Sequence, residues 1–253
     1  MTRFGWFWWT LMCPAAWAGV DVGRLQPQDV QATLPPPWRV VQIDAKVPPT
    51  RYRVAEVAGV TAFEAQAEAS MALLARPLPP ALDLRRTPVL CWRWRIQAVL
   101  QGADLNTRQG DDYAARVYVA FALPPDQLDL GTRLKLRLGR AVYGDLLPDA
   151  ALNYVWDNQH PEGTEAPNAY TDRTRMRVQR TGNALAGRWV NERRDLLKDA
   201  QRLWGTDAVQ PTLLAVATDT DNTGESAQAA FADLHFVAPE AACQWSQGAE
   251  PSR

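Results

Sequence analysis

The chain has 253 residues, 47% hydrophobic and 22% charged, ordinary proportions for a globular protein. Its net charge of −1 implies no nucleic-acid partner and no anionic membrane surface, although arginine clusters can still bind a small anion locally. With only two histidines, His160 and His235, and no CxxC motif, a zinc site is not expected.

Arg3, an apolar run over residues 4–12 and Ala16-Trp17-Ala18 before Gly19 have the three parts of a secretory signal peptide. The apolar run is too short to span a bilayer, and no later segment is long enough either. The expected mature chain begins at about Gly19, in the periplasm or beyond. Losing residues 1–18 also removes Cys13. Cys91 and Cys243 then remain in an oxidising compartment, either joined as a disulfide or as two free thiols.

Residues 19–37 read as an extended, Pro- and Gln-rich lead-in, followed by a β-domain over 38–238 and a polar tail over 239–253. A short strand is expected over 38–43. Residues 51–57 and 60–71 read as a hairpin turning at Ala58-Gly59. The second arm has high helix propensity, yet Phe63, Ala65, Ala67 and Ala69 alternate with Glu64, Gln66 and Glu68, which favours a strand.

Residues 89–121 read as a central hairpin. Leu90, Trp92, Trp94 and Ile96 alternate with Cys91, Arg93, Arg95 and Gln97. After a Gly- and Asp-containing loop, Tyr113, Ala115, Val117, Val119 and Phe121 alternate with Asp112, Arg116 and Tyr118. A period of two puts the aromatic set on one buried face and the arginines on a polar one. Residues 128–147 fit a strand, with Leu134, Leu136 and Leu138 alternating with Arg133, Lys135 and Arg137, or an inserted basic amphipathic helix through Leu134, Leu138 and Val142; the helix is the leading expectation, its charge read as a solvated face.

Residues 151–156 read as a buried strand, 157–170 as a long loop, and 175–180 with 185–190 as a hairpin around Thr181-Gly182-Asn183. A helix is expected from an Asn191 N-cap, with Glu192 and Asp195 in its first turn and Gly205 past its end. Strands over 213–218 and 230–237 close the domain. Many short strands with Pro and Gly punctuation predict a mainly β, antiparallel β-sandwich with one or two peripheral helices.

Several segments in order resemble one family: Leu90-Cys91-Trp92-Arg93-Trp94, GDDYAARVYV at 110–119, Tyr154-Val155-Trp156, DTDNTG at 219–224 and FADLHF at 231–236. The family is the bacterial domain of unknown function 3047, and the similarity runs from about Trp38 to Val237. The resemblance implies an exported jelly-roll sandwich of the galactose-binding or carbohydrate-binding-module kind. Such folds often bind glycans and often hold a structural calcium, but the family brings no established activity. Cys91 and the 128–147 insertion depart from its pattern.

Three constellations carry chemistry. Asp219, Asp221 and Thr223 offer oxygens at alternate positions before Gly224, as at the start of a calcium loop. An EF-hand is ruled out by Ala230 at the twelfth position and by strand flanks. The alternative is an Asx-type turn. Asp111 and Asp112 are the partners expected if that loop folds beside the central strands, or an acid–base pair for glycan cleavage. Arg93, Arg95, Arg116 and Tyr118, with Trp156 and Asn222 nearby, are candidate contacts for an acidic sugar or another anion. Cross-strand pairing with Glu64 or Glu68 is the alternative for the arginines, and burial the alternative for Trp156. The leading expectation is a monomeric, non-catalytic binder of a glycan or other envelope component. A hydrolase using clustered aspartates and an envelope structural protein are the alternatives.

Overall fold

The computed structural model describes residues 19–30, 33–143 and 148–246. The expected signal peptide, Cys13 and the end of the 128–147 insertion lie outside these residues.

Two sheets pack face to face. The six-stranded sheet holds β1 (Val20–Gly23), β3 (Arg51–Val57), β4 (Val60–Glu68), β6 (Val89–Ile96), β11 (Val190–Asp195) and β13 (Ser226–Val237). Its order is β11-β6-β13-β4-β3, with β1 beside β13. The seven-stranded sheet holds β2 (Arg39–Val41), β5 (Leu73–Pro77), β7 (Ala115–Ala122), β8 (Ala150–Asp157), β9 (Glu165–Asn168), β10 (Thr171–Thr181) and β12 (Gln210–Ala217). It runs β2-β5-β12-β7-β8-β10-β9. Only the β8–β10 pair is parallel among these strands. Helix α1 (Leu130–Tyr143) is the expected insertion, and α2 (Leu196–Trp204) follows β11.

The apolar alternation builds the core between the sheets. Leu90, Trp92, Trp94 and Ile96 face Ala115, Val117, Val119 and Phe121 in one cluster. Trp92 meets Tyr154 at 5.3 Å and Trp94 meets Trp156 at 5.6 Å, ring centre to ring centre, across the two layers. The β3–β4 hairpin turns at Ala58 (φ 47°) and Gly59 (φ 77°), the paired positive φ angles of a tight β-turn. The 60–68 segment is a strand despite its helix propensity, because β13 pairs with residues 63–68 and β3 with residues 60–66.

Four expectations are corrected. First, β6 and β7 are not a hairpin: β6 pairs with β11 and β13, and β7 with β12 and β8. Residues 97–114 cross from one sheet to the other. Both apolar faces meet in the shared core, so the polar faces point to opposite outer surfaces. Arg93 and Arg95 therefore do not share a face with Arg116 and Tyr118. Second, 175–180 and 185–190 do not pair, since β10 lies between β8 and β9 while β11 lies against β6. Third, residues 191–195 are strand. Glu192 is 2% exposed, taken inward by the Trp94 indole N–H at 3.1 Å and the Arg180 Nε at 2.6 Å. Helix α2 starts later, where Asp195 accepts the Lys198 N–H, and ends at Gly205 (φ 70°). The 157–170 segment is likewise not all loop, since it contains β9.

The ends are tied down. β1 pairs with the second half of β13, and Cys91 is bonded to Cys243 with Cα atoms 5.9 Å apart.

Candidate functional site

The aspartates expected to hold calcium do converge. Carboxylate oxygens of Asp112, Asp219 and Asp221 lie within 4.8 Å of one another. Asp112 and Asp219 find partners in the protein itself, whereas Asp221 Oδ1 is buried without a hydrogen-bond partner. Arg116 donates from Nε to Asp219 Oδ1 at 2.9 Å, its Nη2 also contacts Asp219 Oδ2, and the same nitrogen reaches the Asp111 carbonyl at 2.9 Å. Burial pushes the Asp219 carboxyl up, and the Arg116 guanidinium opposes that shift. Asp112 accepts the backbone N–H groups of Asn222 (3.0 Å) and Thr223 (2.6 Å) and the Asn222 side-chain amide (3.1 Å). The buried guanidinium supplies positive charge to the Asp219 corner of this cluster. The donor set fits a turn clamped by Asp112 and Arg116 better than a calcium cage, which wants six to eight oxygens. Asn222 also accepts the Tyr170 hydroxyl at 2.8 Å, closing the rim of the loop.

Beside this clamp, on the outer face of the seven-stranded sheet, is a cleft of about 200 Å³. Register explains the hollow. Ala75, Ala215 and Tyr118 stand in one row across β5, β12 and β7, and the two alanines leave the space that larger residues would fill. Leu73, Leu213 and Met71 wall one side. Polar groups converge on the other: Asp111, Arg116, Asn153, Asn168 and Thr174.

These polar groups are set for recognition. Asp111 Oδ2 accepts the Asn168 amide at 2.9 Å. Burial pushes its carboxyl up, with Arg116 opposing. The Tyr118 hydroxyl, close to Thr174, is pushed up to about 12 by burial, so it stays protonated and able to donate. Asn153 is 2% exposed and its Oδ1 has no hydrogen-bond partner. An unpaired buried acceptor costs about 1–3 kcal/mol, which a ligand hydroxyl or amide would recover.

A larger hollow of about 470 Å³ lies on the opposite side, lined by Arg24, Glu56, Trp245 and Ser246 with Asp233. Its deepest polar groups are already committed. Asp233 pairs with Arg93 at 2.7 Å, and Ser246 N–H donates to Asp233 at 3.0 Å.

The sequence-derived candidates are thus dispersed. Asp111, Arg116 and Tyr118 meet in the cleft. Asp112, Asp219, Asp221, Asn222 and Thr223 form the adjoining clamp. Arg93 and Arg95 lie on the other sheet, where Arg95 Nε donates to the Gly187 carbonyl at 3.0 Å. Trp156 is a core residue, 1% exposed, its indole N–H on the Gly182 carbonyl at 3.0 Å, and unable to stack on a ligand. Sequence reasoning missed Asn153, Asn168 and Thr174. Asn153 did carry a signal: it is the one amide in the otherwise apolar run 150–156, on the face opposite Leu152 and Tyr154.

A family model described as Protein of unknown function (DUF3047) matches residues 36–235. The chain belongs to this family. No curated protein matches it. The span matched to DUF3047 holds the whole cleft and both sides of the Asp112 clamp. It leaves out β1 and Cys243, so the N-terminal strand and one half of the disulfide lie beyond the family's matched region.

Proposed function

We propose that this DUF3047 protein is an exported, non-catalytic binding protein whose cleft takes one sugar-sized unit of a cell-envelope glycan. The observation that carries this reading is the unpaired Asn153 Oδ1, buried in a cleft that also presents the Tyr118 hydroxyl and the Asp111 carboxyl. Paired donors and acceptors above an apolar floor suit a ring bearing hydroxyls. The cleft is smaller than the roughly 300–1,000 Å³ of a typical small-molecule site, so it suits part of a longer chain rather than a whole cofactor. Export is supported by the N-terminal signal features and by the Cys91–Cys243 bond, which suits an oxidising compartment.

Hydrolysis by clustered aspartates has less support. Catalysis by two carboxyls needs one that is free to act as base or nucleophile beside a protonated acid. Asp111 suits the acid, but Asp219 is held by Arg116, Asp112 by three N–H groups of the 222–223 turn, and Asp221, whose Oδ1 is unpaired, does not line the cleft.

The test is a screen of envelope saccharides against the chain from Gly19, followed by calorimetry on any hit. Thr174→Trp should fill the cleft and abolish binding without changing the melting temperature, and Asn153→Ala should weaken binding. Absence of any saccharide ligand, or binding indifferent to both changes, would reject the reading.

A further inference from the structure

Helix α1 lies in the connection between β7 and β8. Asp129 starts it by accepting the Thr132 N–H at 3.0 Å. Leu136, 4% exposed, fixes which face meets the protein body. Residues two apart on a helix are about 200° around the axis, so Leu134 lies on the outward face, and Leu130, one turn earlier, shares it. Leu130 is 79% and Leu134 59% exposed, the two most exposed large apolar side chains among the described residues. Arg133 and Arg137, also one turn apart, are exposed beside them. The helix sequence carries Arg133, Lys135, Arg137 and Arg140 and no acidic residue.

Outward leucines flanked by cations contribute nothing to the fold's own core. They match a helix that lies in a membrane interface, apolar side down and basic groups at headgroup level. The chain's overall charge of −1 pointed away from such a surface. Yet charges more than about 10 Å apart are largely screened at ordinary ionic strength, so the local cluster on α1 decides.

We propose that α1 docks the protein on an anionic phospholipid surface, with Leu130 and Leu134 entering the headgroup boundary and Arg133 and Arg137 meeting lipid phosphates. β7 has eight residues, which at about 3.3 Å each separates α1 from the Asp111–Asp112 end by roughly 26 Å. The carboxylate loops therefore stand away from the bilayer.

The experiment is co-sedimentation of the chain from Gly19 with vesicles of phosphatidylcholine alone or with about 30% phosphatidylglycerol, at low and high salt. Binding should require phosphatidylglycerol and fall with salt. Arg133→Gln with Arg137→Gln should weaken it roughly 30-fold, since each cation near an anionic surface is worth about fivefold. Leu130→Ser with Leu134→Ser should abolish it while the circular dichroism melt is unchanged. No sedimentation, equal sedimentation with phosphatidylcholine alone, or binding unaltered in both variants would overturn the proposal. A leucine-dependent dimer seen by light scattering, with no vesicle binding, would overturn it too and assign the face to a second copy.

Discussion

Arg93 and Asp233 form an ion pair at 2.7 Å with side chains 1% and 2% exposed, in the middle of the six-stranded sheet's outer face. Asp233 sits at φ 54°, in the left-handed region, where the β13 register slips between Ala232 and His235. There β13 exchanges β4 for β1 as its neighbour. The strained aspartate thus marks the change of partner, and the tail covers it through Ser246.

Removing one member should be severe. Asp233→Ala leaves the Arg93 charge buried and unpaired, and should cost about 3–5 kcal/mol in urea unfolding. Exchanging both, as Arg93→Met with Asp233→Gly, should cost less than Asp233→Ala alone. The double change removes the orphaned charge and relieves the positive φ. Equal or additive losses would show that the pair is not coupled.

The disulfide is the second anchor of the tail. Cys91→Ser with Cys243→Ser should lower stability by about 2–4 kcal/mol. It should also expose Trp245, whose ring stands 5.9 Å from that of His235. Denaturation with and without reductant, read by tryptophan fluorescence, checks both. A reduced protein as stable as the oxidised one would show that Ser246 and His235 alone hold the tail.

Much of this fold was legible because period-two alternation reports which face of a strand is buried. It correctly separated Leu90, Trp92, Trp94 and Ile96 from Arg93 and Arg95, and it outweighed helix propensity in β4. It does not report the pairing partner. Neighbouring strands pair often enough that β6 and β7 read as a hairpin, yet in a sandwich a loop can as readily cross the core. That one difference dispersed the polar constellation, sending Arg93 to one surface and Arg116 to the other. The start of α2 misled for another reason. Asn191, Glu192 and Asp195 have the composition of a helix start, but Glu192 is drawn into the protein by Arg180 and Trp94, which are distant in sequence. The cleft was half legible: Asp111, Arg116 and Tyr118 lie on or beside one strand, whereas Asn168 and Thr174 arrive from β9 and β10 through long-range pairing.

The acidic loop makes a prediction about metal. If Asp112 and Arg116 clamp the 219–224 turn, neither EDTA nor calcium should move the melting temperature. Asp112→Ala should cost about 2–4 kcal/mol, because two backbone N–H groups lose their acceptor together. Hydrogen exchange should quicken at Asn222 and Thr223 in that variant. A melting temperature that climbs with calcium concentration would mean the cation binds the native state and displaces the arginine clamp.

The last prediction concerns acid. His235 is buried, with Nε2 accepting the Gln244 N–H at 3.0 Å and Nδ1 facing the Asp233 carbonyl. That arrangement requires the neutral ring, protonated on Nδ1. Burial lowers its pKa; the Asp233 carbonyl and the Asp233 and Asp21 carboxylates oppose this, and Arg24 reinforces it. A folded value below the unfolded one of about 6.5 makes the contribution complete above that pH and lost progressively as pH falls toward the folded value. The His235 contribution to the urea midpoint should therefore fall between pH 7.5 and 5.5. Asp111, Glu192, Asp219 and Asp221, all pushed up by burial, change stability in the opposite sense. The informative quantity is therefore the difference between the native sequence and His235→Phe, whose profile should be flatter over that range. Protonation also removes the acceptor for Gln244, so in the Cys91→Ser, Cys243→Ser background acid should release the tail and shift Trp245 emission to the red. Parallel pH profiles in the two proteins would show that His235 titrates equally in the folded and unfolded chains.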